Sequence, residues 1–159
     1  MSVKNSIQSQ YLAALAMLKD AIEKCPDSLW ADNNYVNPFW RVAYHTLIYT
    51  NFYLSPAEAD FTPWEKHKDD MQLLGPSAPD SEPYSKADLL AYLDSCLKKM
   101  ETQVYTMDLD AESGFDWLPF DKLELQFYNI RHIQQHTGEL CERLGAHGEI
   151  EVGWVGTMG

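Results

Sequence analysis

The sequence predicts an all-α protein, a four-helix bundle built by a single domain spanning residues 1–159. Three observations support this fold class. Four segments carry apolar residues at helical spacing, no segment reads convincingly as a strand, and one long connection separates the second helix from the third. A crossover of that length would let the second and third helices run parallel. The four helices are expected at about 3–25, 37–54, 85–105 and 121–144, with a tail over 145–159.

The first helix follows from apolar residues at three- and four-residue spacing, which place one apolar stripe along its length. Pro26 ends this helix, because proline cannot continue it. The stripe could pack inside the bundle or against a second copy of the chain. Its main members are Ile7, Tyr11, Leu15, Leu18 and Ile22.

The second helix opens at Asn37-Pro38, an N-cap residue followed by proline at the first helical position. It is apolar and aromatic on nearly all sides, which predicts deep burial and places His45 in its middle. Tyr49 lies one turn after His45 and could line a pocket. Four aromatic residues of this helix are otherwise expected to pack in the core: Trp40, Tyr44, Tyr49 and Phe52.

A proline-rich connection over residues 55–83 precedes the third helix. Most connections in compact domains run ~4–6 residues, so a connection this long is expected to be functional or to span the length of the fold. Ser85 opens SKAD, a capping-box pattern at the start of the third helix. Asp121 can cap the fourth helix, and Gly145 is expected to end it. Trp154 is the only large side chain expected to anchor the tail.

Composition limits the possible partners and location of the protein. With 24 acidic and 12 basic side chains the formal charge is −12, which repels phosphate backbones and anionic membranes. We therefore expect a small-molecule substrate, with neither nucleic acid nor membrane as a partner. No apolar run approaches the ~20 residues of a membrane span, and the N-terminus lacks the apolar core of a secretory signal, so a cytoplasmic location is expected. Three widely spaced cysteines are expected to be reduced packing residues: Cys25, Cys96 and Cys141.

The fourth predicted helix carries His132 and His136, four residues apart. Four residues correspond to about 400° of rotation and ~6 Å of rise, so both side chains share one face and can bind one metal ion. Bundle cores build metal sites from facing helices, which makes His45 the expected third ligand. Three histidines with an open position are typical of a catalytic zinc site, whose bound water becomes acidic. The remaining histidines, His67 and His147, are expected at the surface.

Two residues that precede His132 share its helical face. Tyr128 and Asn129 lie four and three residues before it. Either could orient an imidazole as an outer partner of the site or form a polar patch in the core. Together with Tyr49, they are the candidates for lining a substrate or cofactor pocket.

Glu139 follows His132 by seven residues on the same stripe. A carboxylate there could act as the general base for a metal-bound water. The alternative is an ion pair with an arginine at helical spacing, either Arg131 or Arg143.

Two strings of this chain resemble the DinB/YfiT-like metal-binding proteins. They are AYHTLIYTNFYL around His45 and ELQFYNIRHIQQHTGEL around His132 and His136, joined by the same helix order and long second connection. The single histidine of helix two and the HxxxHxG[QE]L string of helix four look like the metal triad of that family, residue for residue. The resemblance covers nearly the whole chain. One departure is Glu139, where many members have glutamine, which leaves open the charge that a substrate would carry.

The resemblance implies a bundle of up-down-down-up topology, often a homodimer, with zinc, nickel or another divalent ion bound by His45, His132 and His136. Characterised members include S-transferases and isomerases that use low-molecular-weight thiols, and others are described as metal-dependent hydrolases. For this chain the resemblance implies a metal site that activates water or a low-molecular-weight thiol, for hydrolysis or S-transfer. Two alternatives stay open: a non-catalytic metal-binding stress-response protein, and a structural bundle whose histidines are buried and neutral.

Overall fold

The computed structural model describes residues 2–159 and confirms the all-α fold class over that range. The only strand-like feature of these residues is an isolated bridge between Glu112 and Asp121. No helix among residues 2–159 has an apolar stretch long enough to cross a membrane. The helices are α1 (Val3–Lys24), α2 (Asp27–Trp30), α3 (Phe39–Tyr53), α4 (Lys86–Thr106) and α5 (Lys122–Gly148), with a 3-10 turn at Glu58–Asp60.

The four long helices form a bundle in which α1 and α3 each pack against both α4 and α5. Contacts near the helix ends give the direction of α1. Lys4 Nζ, at its start, donates to the carbonyl of Tyr105 at the end of α4 over 2.8 Å, so α1 and α4 are antiparallel. Tyr11 Oη donates to Oε1 of Gln126, near the start of α5, over 2.8 Å. Lys24 Nζ, at the end of α1, reaches the carbonyl of Glu151 just beyond α5, so α1 and α5 are parallel.

The direction of α3 follows in the same way. Arg143, near the end of α5, donates to the carbonyl of Asn37 just before α3 over 2.7 Å, so α3 and α5 are antiparallel. Trp40, at the start of α3, packs against Tyr84 just before α4 with ring centroids 5.8 Å apart. Lys99, late in α4, contacts residues at the end of α3. Helices α3 and α4 are therefore parallel, as the long connection predicts.

Local capping signals and the apolar stripe of α1 are confirmed. The hydroxyl of Ser85 accepts the N–H of Asp88 over 3.0 Å at the start of α4. The carboxylate of Asp121 accepts the N–H of Glu124 over 2.8 Å at the start of α5. Of the two alternatives for the α1 stripe, packing inside the bundle is observed. Its buried members are Ile7, Tyr11, Leu15, Leu18 and Ile22.

The start of α3 differs from the prediction. Pro38 is its N-cap residue, and no side chain caps the helix there. Asn37, predicted as the cap, instead accepts the N–H of Gly75 with its side-chain oxygen over 2.7 Å. The amide therefore holds the long connection against the helix, a long-range partner that local capping rules do not include.

Prediction and structure also differ where α5 ends and in the tail. The helix passes through Gly145 and ends at Gly148, after which Glu149 adopts a left-handed φ of 57°. Glycine costs only ~1 kcal/mol inside a helix, so it does not force a stop. The turn lets Ile150 and Val152 pack against the core. Trp154, predicted as the anchor of the tail, is 79% exposed.

Helix α2 lies in a stretch predicted only as turns. The carbonyl of Pro26 accepts the N–H groups of Leu29 and Trp30, and both of those side chains are buried. Four residues are too few to show helical periodicity, and burial of Trp30 against Phe39, with ring centroids 5.7 Å apart, stabilises this turn.

Candidate metal centre

The structure brings together the three histidines that the sequence singled out as ligands. His45 lies on α3, and His132 and His136 lie one turn apart on the antiparallel neighbour α5. One nitrogen of each imidazole lies within 4.8 Å of the other two. His136 is 8% exposed, and the other two are partly buried.

A few polar residues of α3 and α5 form hydrogen bonds beside the histidines. Thr46 and Thr50 donate their hydroxyls to the carbonyls of Val42 and Thr46 on the preceding turn, each over 2.7 Å. Asn129 on α5 donates its amide to the carbonyl of Thr50 over 3.2 Å. The bond from Asn129 to Thr50 therefore joins the two helices that carry the histidines.

Outer partners orient two of the three imidazoles. His45 Nδ1 lies 2.7 Å from the carbonyl oxygen of Gln72, and His136 Nδ1 lies 3.3 Å from Oε2 of Glu139. Both partners are acceptors only, so Nδ1 of each ring carries a proton and Nε2 is the nitrogen that can bind a metal ion. Metal-binding histidines in proteins are commonly held in this way.

His132 is the exception among the three. Its Nε2 lies 3.1 Å from Nε2 of His45, while its buried Nδ1 has no hydrogen-bond partner within residues 2–159. If Nε2 carries the proton, it donates to His45 and Nδ1 is an unpaired acceptor. If Nδ1 carries the proton, two lone pairs face each other at Nε2. Each arrangement of neutral rings therefore leaves at least one buried nitrogen unsatisfied, at a cost of ~1–3 kcal/mol.

The spacing of the nitrogens suits one divalent ion. Two nitrogens that each lie ~2.05 Å from a shared ion and are 3.1 Å apart subtend an angle of about 98° at that ion. This angle falls between the ~90° of octahedral and the ~109° of tetrahedral coordination. His136 places a nitrogen within 4.8 Å of the other two, so the three imidazoles fit a site for one divalent cation.

Burial keeps two of the imidazoles in the form that binds metal. Loss of water lowers the pKa of His45 to about 4, an effect partly opposed by the carbonyl of Gln72. Burial, together with the neighbouring histidines, lowers the pKa of His132 to about 3. Both rings are therefore neutral at pH 7, and ligands must be deprotonated to bind a metal ion.

Glu139 forms the ion pair that was one of its two predicted roles. Its Oε1 accepts from Nη2 of Arg143, whereas Arg131 is an exposed residue. The guanidinium of Arg143 also stacks over the ring of Tyr35, with Cζ 4.5 Å from the ring centroid. The second carboxylate oxygen contacts Nδ1 of His136, on the edge of the ring opposite Nε2. This position suits orientation of His136 rather than removal of a proton from a group at the metal.

The predicted pocket residues occupy different places. The ring of Tyr49 lies 4.7 Å from that of His45 and 5.6 Å from that of His132, so it covers one side of the triad. Asn129 binds the carbonyl of Thr50 and belongs to the buried polar interface. Tyr128 packs edge-on against Tyr53 with ring centroids 5.3 Å apart.

Two residues of the long connection reach this region without having been predicted there. The main-chain oxygen of Gln72 holds His45. His67, expected at the surface, is partly buried, and its Nδ1 lies 2.6 Å from Oη of Tyr44. A main-chain acceptor has no signal in the sequence, and only the length of the connection pointed to a functional role. His147 is exposed, as predicted.

A cleft of about 260 Å³ opens beside the triad. Tyr49 and Gln72 belong to both the cleft and the surroundings of the histidines. The cleft is lined by Ile48, Tyr49, Phe52, Phe61, His67, Gln72 and Trp117.

Comparison with known proteins adds no assignment. The chain matches no protein-family model, no curated protein and no solved structure. The centre itself is therefore the basis for a function: three imidazoles that can bind a divalent ion, two of them oriented by outer acceptors, beside a cleft large enough for a small molecule.

Proposed function

We propose that this chain is a divalent-metal-dependent enzyme of the DinB/YfiT type, in which His45, His132 and His136 bind the ion. The observation that carries the proposal is the convergence of three imidazole nitrogens within 4.8 Å, with the Nδ1 atoms of His45 and His136 held by acceptors. The reaction class is hydrolysis or S-transfer, with water or a low-molecular-weight thiol as the nucleophile. A bound divalent ion would lower the pKa of that nucleophile.

Several features support the family part of the proposal. Helices α3 and α4 run parallel and are joined by the long connection, and the ligands stand on α3 and α5 in the order that the resemblance implies. Imidazole ligands suit zinc and nickel, which are the ions proposed. A homodimer stays a prediction of the resemblance.

The residues around the triad support catalysis over metal storage. Gln72 and Glu139 orient two ligands, and Tyr49 packs against the rings of His45 and His132. Tyr49 and Gln72 also line the cleft, which places a pocket for a small molecule next to the centre. A purely structural ion would need no such pocket.

Metal content is the first test of the proposal. Protein purified without a histidine tag is compared with its His132→Ala and His45→Ala variants by elemental analysis. About one divalent ion per chain is expected in the parent protein and almost none in either variant. His147→Ala is the matched control, because it removes an exposed histidine outside the triad and should retain the ion.

Two outcomes would contradict the ligand set. Full metal content in His45→Ala would remove α3 from the site. No ion in the parent protein, even after incubation with zinc, nickel and manganese, would leave a structural bundle with buried neutral histidines.

Catalysis needs a separate test. The metal-loaded protein is screened for ester, amide and thioester hydrolysis and for thiol transfer to electrophiles. Turnover that disappears in His132→Ala and persists in His147→Ala is the expected result. Metal binding without any turnover would favour the non-catalytic metal-binding protein.

A further inference from the structure

The cleft beside the triad is built mainly from aromatic and aliphatic side chains. One wall is the face of α3 that continues from His45 through Tyr49 to Phe52, at spacings of four and three residues. The connection between α3 and α4 supplies Phe61 and His67, and the loop before α5 supplies Trp117. The apolar wall of the cleft therefore continues the helical face that carries His45.

The aromatic walls are arranged for stacking. The rings of Phe52 and Trp117 are nearly parallel, at 13°, with centroids 6.1 Å apart. Phe61 meets Phe52 edge-on, at 86° and 4.9 Å. Trp117 is 51% exposed, so part of its indole surface is free to contact a ligand. Offset-stacked and edge-to-face contacts are the arrangements that aromatic rings prefer.

The lining residues, all within the described part of the chain, include no carboxylate, ammonium or guanidinium group. A charged ligand would lose water in this cleft without gaining an opposite charge, which is costly. The cleft therefore suits an uncharged group and lacks the cationic residues that an anionic thiol cofactor would require.

Volume limits the size of that group. An apolar cavity of ~150 Å³ holds benzene. A cleft of about 260 Å³ is therefore suited to a group of one or two rings, and it is too small for a protein segment with regular structure.

His67 supplies one polar contact. Burial raises the pKa of Tyr44 well above its usual value, so its phenol stays protonated. That hydroxyl lies 2.6 Å from His67 Nδ1 and also contacts the hydroxyl of Tyr84. Nδ1 of His67 is therefore already paired with a phenol. This leaves Nε2 as the ring nitrogen that can form a hydrogen bond with a ligand in the cleft.

We propose that the cleft binds an uncharged, flat, one- or two-ring part of the substrate, packed against Trp117 and Phe52, with one polar atom hydrogen-bonded to Nε2 of His67. That this ligand is the substrate rests on the proposed metal-enzyme function. Its binding to the cleft does not require a metal ion, so the two proposals can fail separately.

The test is calorimetric titration of chelator-treated and zinc-loaded protein with 2-naphthol, which is uncharged at pH 7. Its charged counterparts, 2-naphthoate and 2-naphthylmethylammonium, have the same ring system. In the metal-free protein 2-naphthol should bind at least tenfold more tightly than either ion. Equal or tighter binding of a charged counterpart, or no binding of 2-naphthol, would overturn the proposal.

Matched variants locate the binding site. Trp117→Ala should weaken 2-naphthol binding about tenfold, whereas Trp154→Ala, the same substitution in a tail residue that is 79% exposed, should leave it unchanged. His67→Phe should weaken binding of 2-naphthol without weakening that of naphthalene, measured by ligand-observed NMR. Equal effects of the two tryptophan variants would place the ligand elsewhere and overturn the proposal.

The two proposals are distinguished by combining this test with the metal analysis. Binding of 2-naphthol by a protein that takes up no metal would support the cleft and overturn the metal enzyme. Metal uptake without binding of 2-naphthol would overturn the cleft and leave the metal centre standing.

Discussion

Two polar clusters lie along α3. One consists of Lys99 on α4 with Asn51 and Ser55, and the other consists of the three histidines. The two clusters differ in how their polar atoms are paired. Lys99 Nζ donates to the carbonyl of Asn51 over 2.9 Å, to its side-chain oxygen over 2.7 Å and to Oγ of Ser55 over 2.8 Å. Its three protons therefore have three acceptors. In the histidine cluster two Nε2 atoms face each other at 3.1 Å, and His132 Nδ1 has no partner in the described chain.

The contrast indicates what each cluster is for. Burial lowers the pKa of Lys99, as it lowers those of His45 and His132, so both clusters carry the cost of lost water. Hydrogen bonds to neighbouring oxygens offset that cost for Lys99, which therefore needs no ligand. The histidines leave a buried nitrogen without a partner, and the three rings can supply the ligands of one cation. Substitution of Lys99 should therefore lower stability without changing metal content, whereas substitutions around the histidines should lower metal binding.

The largest effect on the metal-free fold is expected from the lysine cluster. Lys99→Met should lower the free energy of unfolding by about 3 kcal/mol, because buried acceptors of Asn51 and Ser55 lose a charged donor. Metal content should not change. Urea unfolding of chelator-treated protein and elemental analysis measure the two quantities, with the exposed neighbour Lys98→Met as the control. Loss of the ion in Lys99→Met would mean that the two clusters are coupled.

A smaller effect is expected for Glu139, which contacts Nδ1 of His136. Glu139→Gln should weaken metal binding ~10–100-fold, because the carboxylate that orients the ring is replaced by a neutral amide. Competition with a chromophoric chelator measures the affinity, and the exposed Glu142→Gln is the control. Any hydrolysis should fall only as far as metal occupancy falls. Complete loss of turnover at full occupancy would instead restore Glu139 as the general base.

The smallest expected effect is the change in stability of the metal-free protein with pH. The pKa values of His45 and His132 in the folded protein, about 4 and about 3, lie below the usual 6.5. The unfolded chain therefore binds more protons between these values, so stability falls as pH falls from about 6.5 towards 4 and 3. Between pH 7.5 and 6 the metal-free protein should lose on the order of 1 kcal/mol.

Urea unfolding at the two pH values checks this expectation. A variant carrying both His45→Leu and His132→Leu should show a smaller loss, and His147→Leu should behave as the parent protein. The same loss in the double variant would assign the acid sensitivity to other groups. In the metal-bound protein the ion should also dissociate as pH falls below roughly 6, because protons compete for its ligands.

Periodicity and capping rules were sufficient to predict the four long helices and to place the candidate ligands on them. The repeat of His132 and His136 at four residues places both on one face of α5, and the caps at Ser85 and Asp121 depend on residues within three positions. The same rules failed at Asn37, whose side chain binds Gly75 from the long connection. They also missed the end of α5 at Gly148, where packing of the tail sets the stop.

Such local rules could not predict which residues surround the three histidines. His67 carried no signal in its own sequence neighbourhood, yet it lies in the cleft because Tyr44 binds it. The two roles considered for Glu139 could not be separated until Arg143 was seen to hold one carboxylate oxygen and His136 the other.

The chain's residue pattern was enough to establish an all-α fold and to name three candidate ligands, because helical periodicity and capping relate residues only a few positions apart. Folding in three dimensions set the 3.1 Å approach of His45 and His132, which are 87 positions apart in the chain. It also set the acceptor from Gln72, the ion pair between Glu139 and Arg143, and the lining of the cleft. These features depend on the packing of distant segments against one another, and no local pattern relates the residues that meet there.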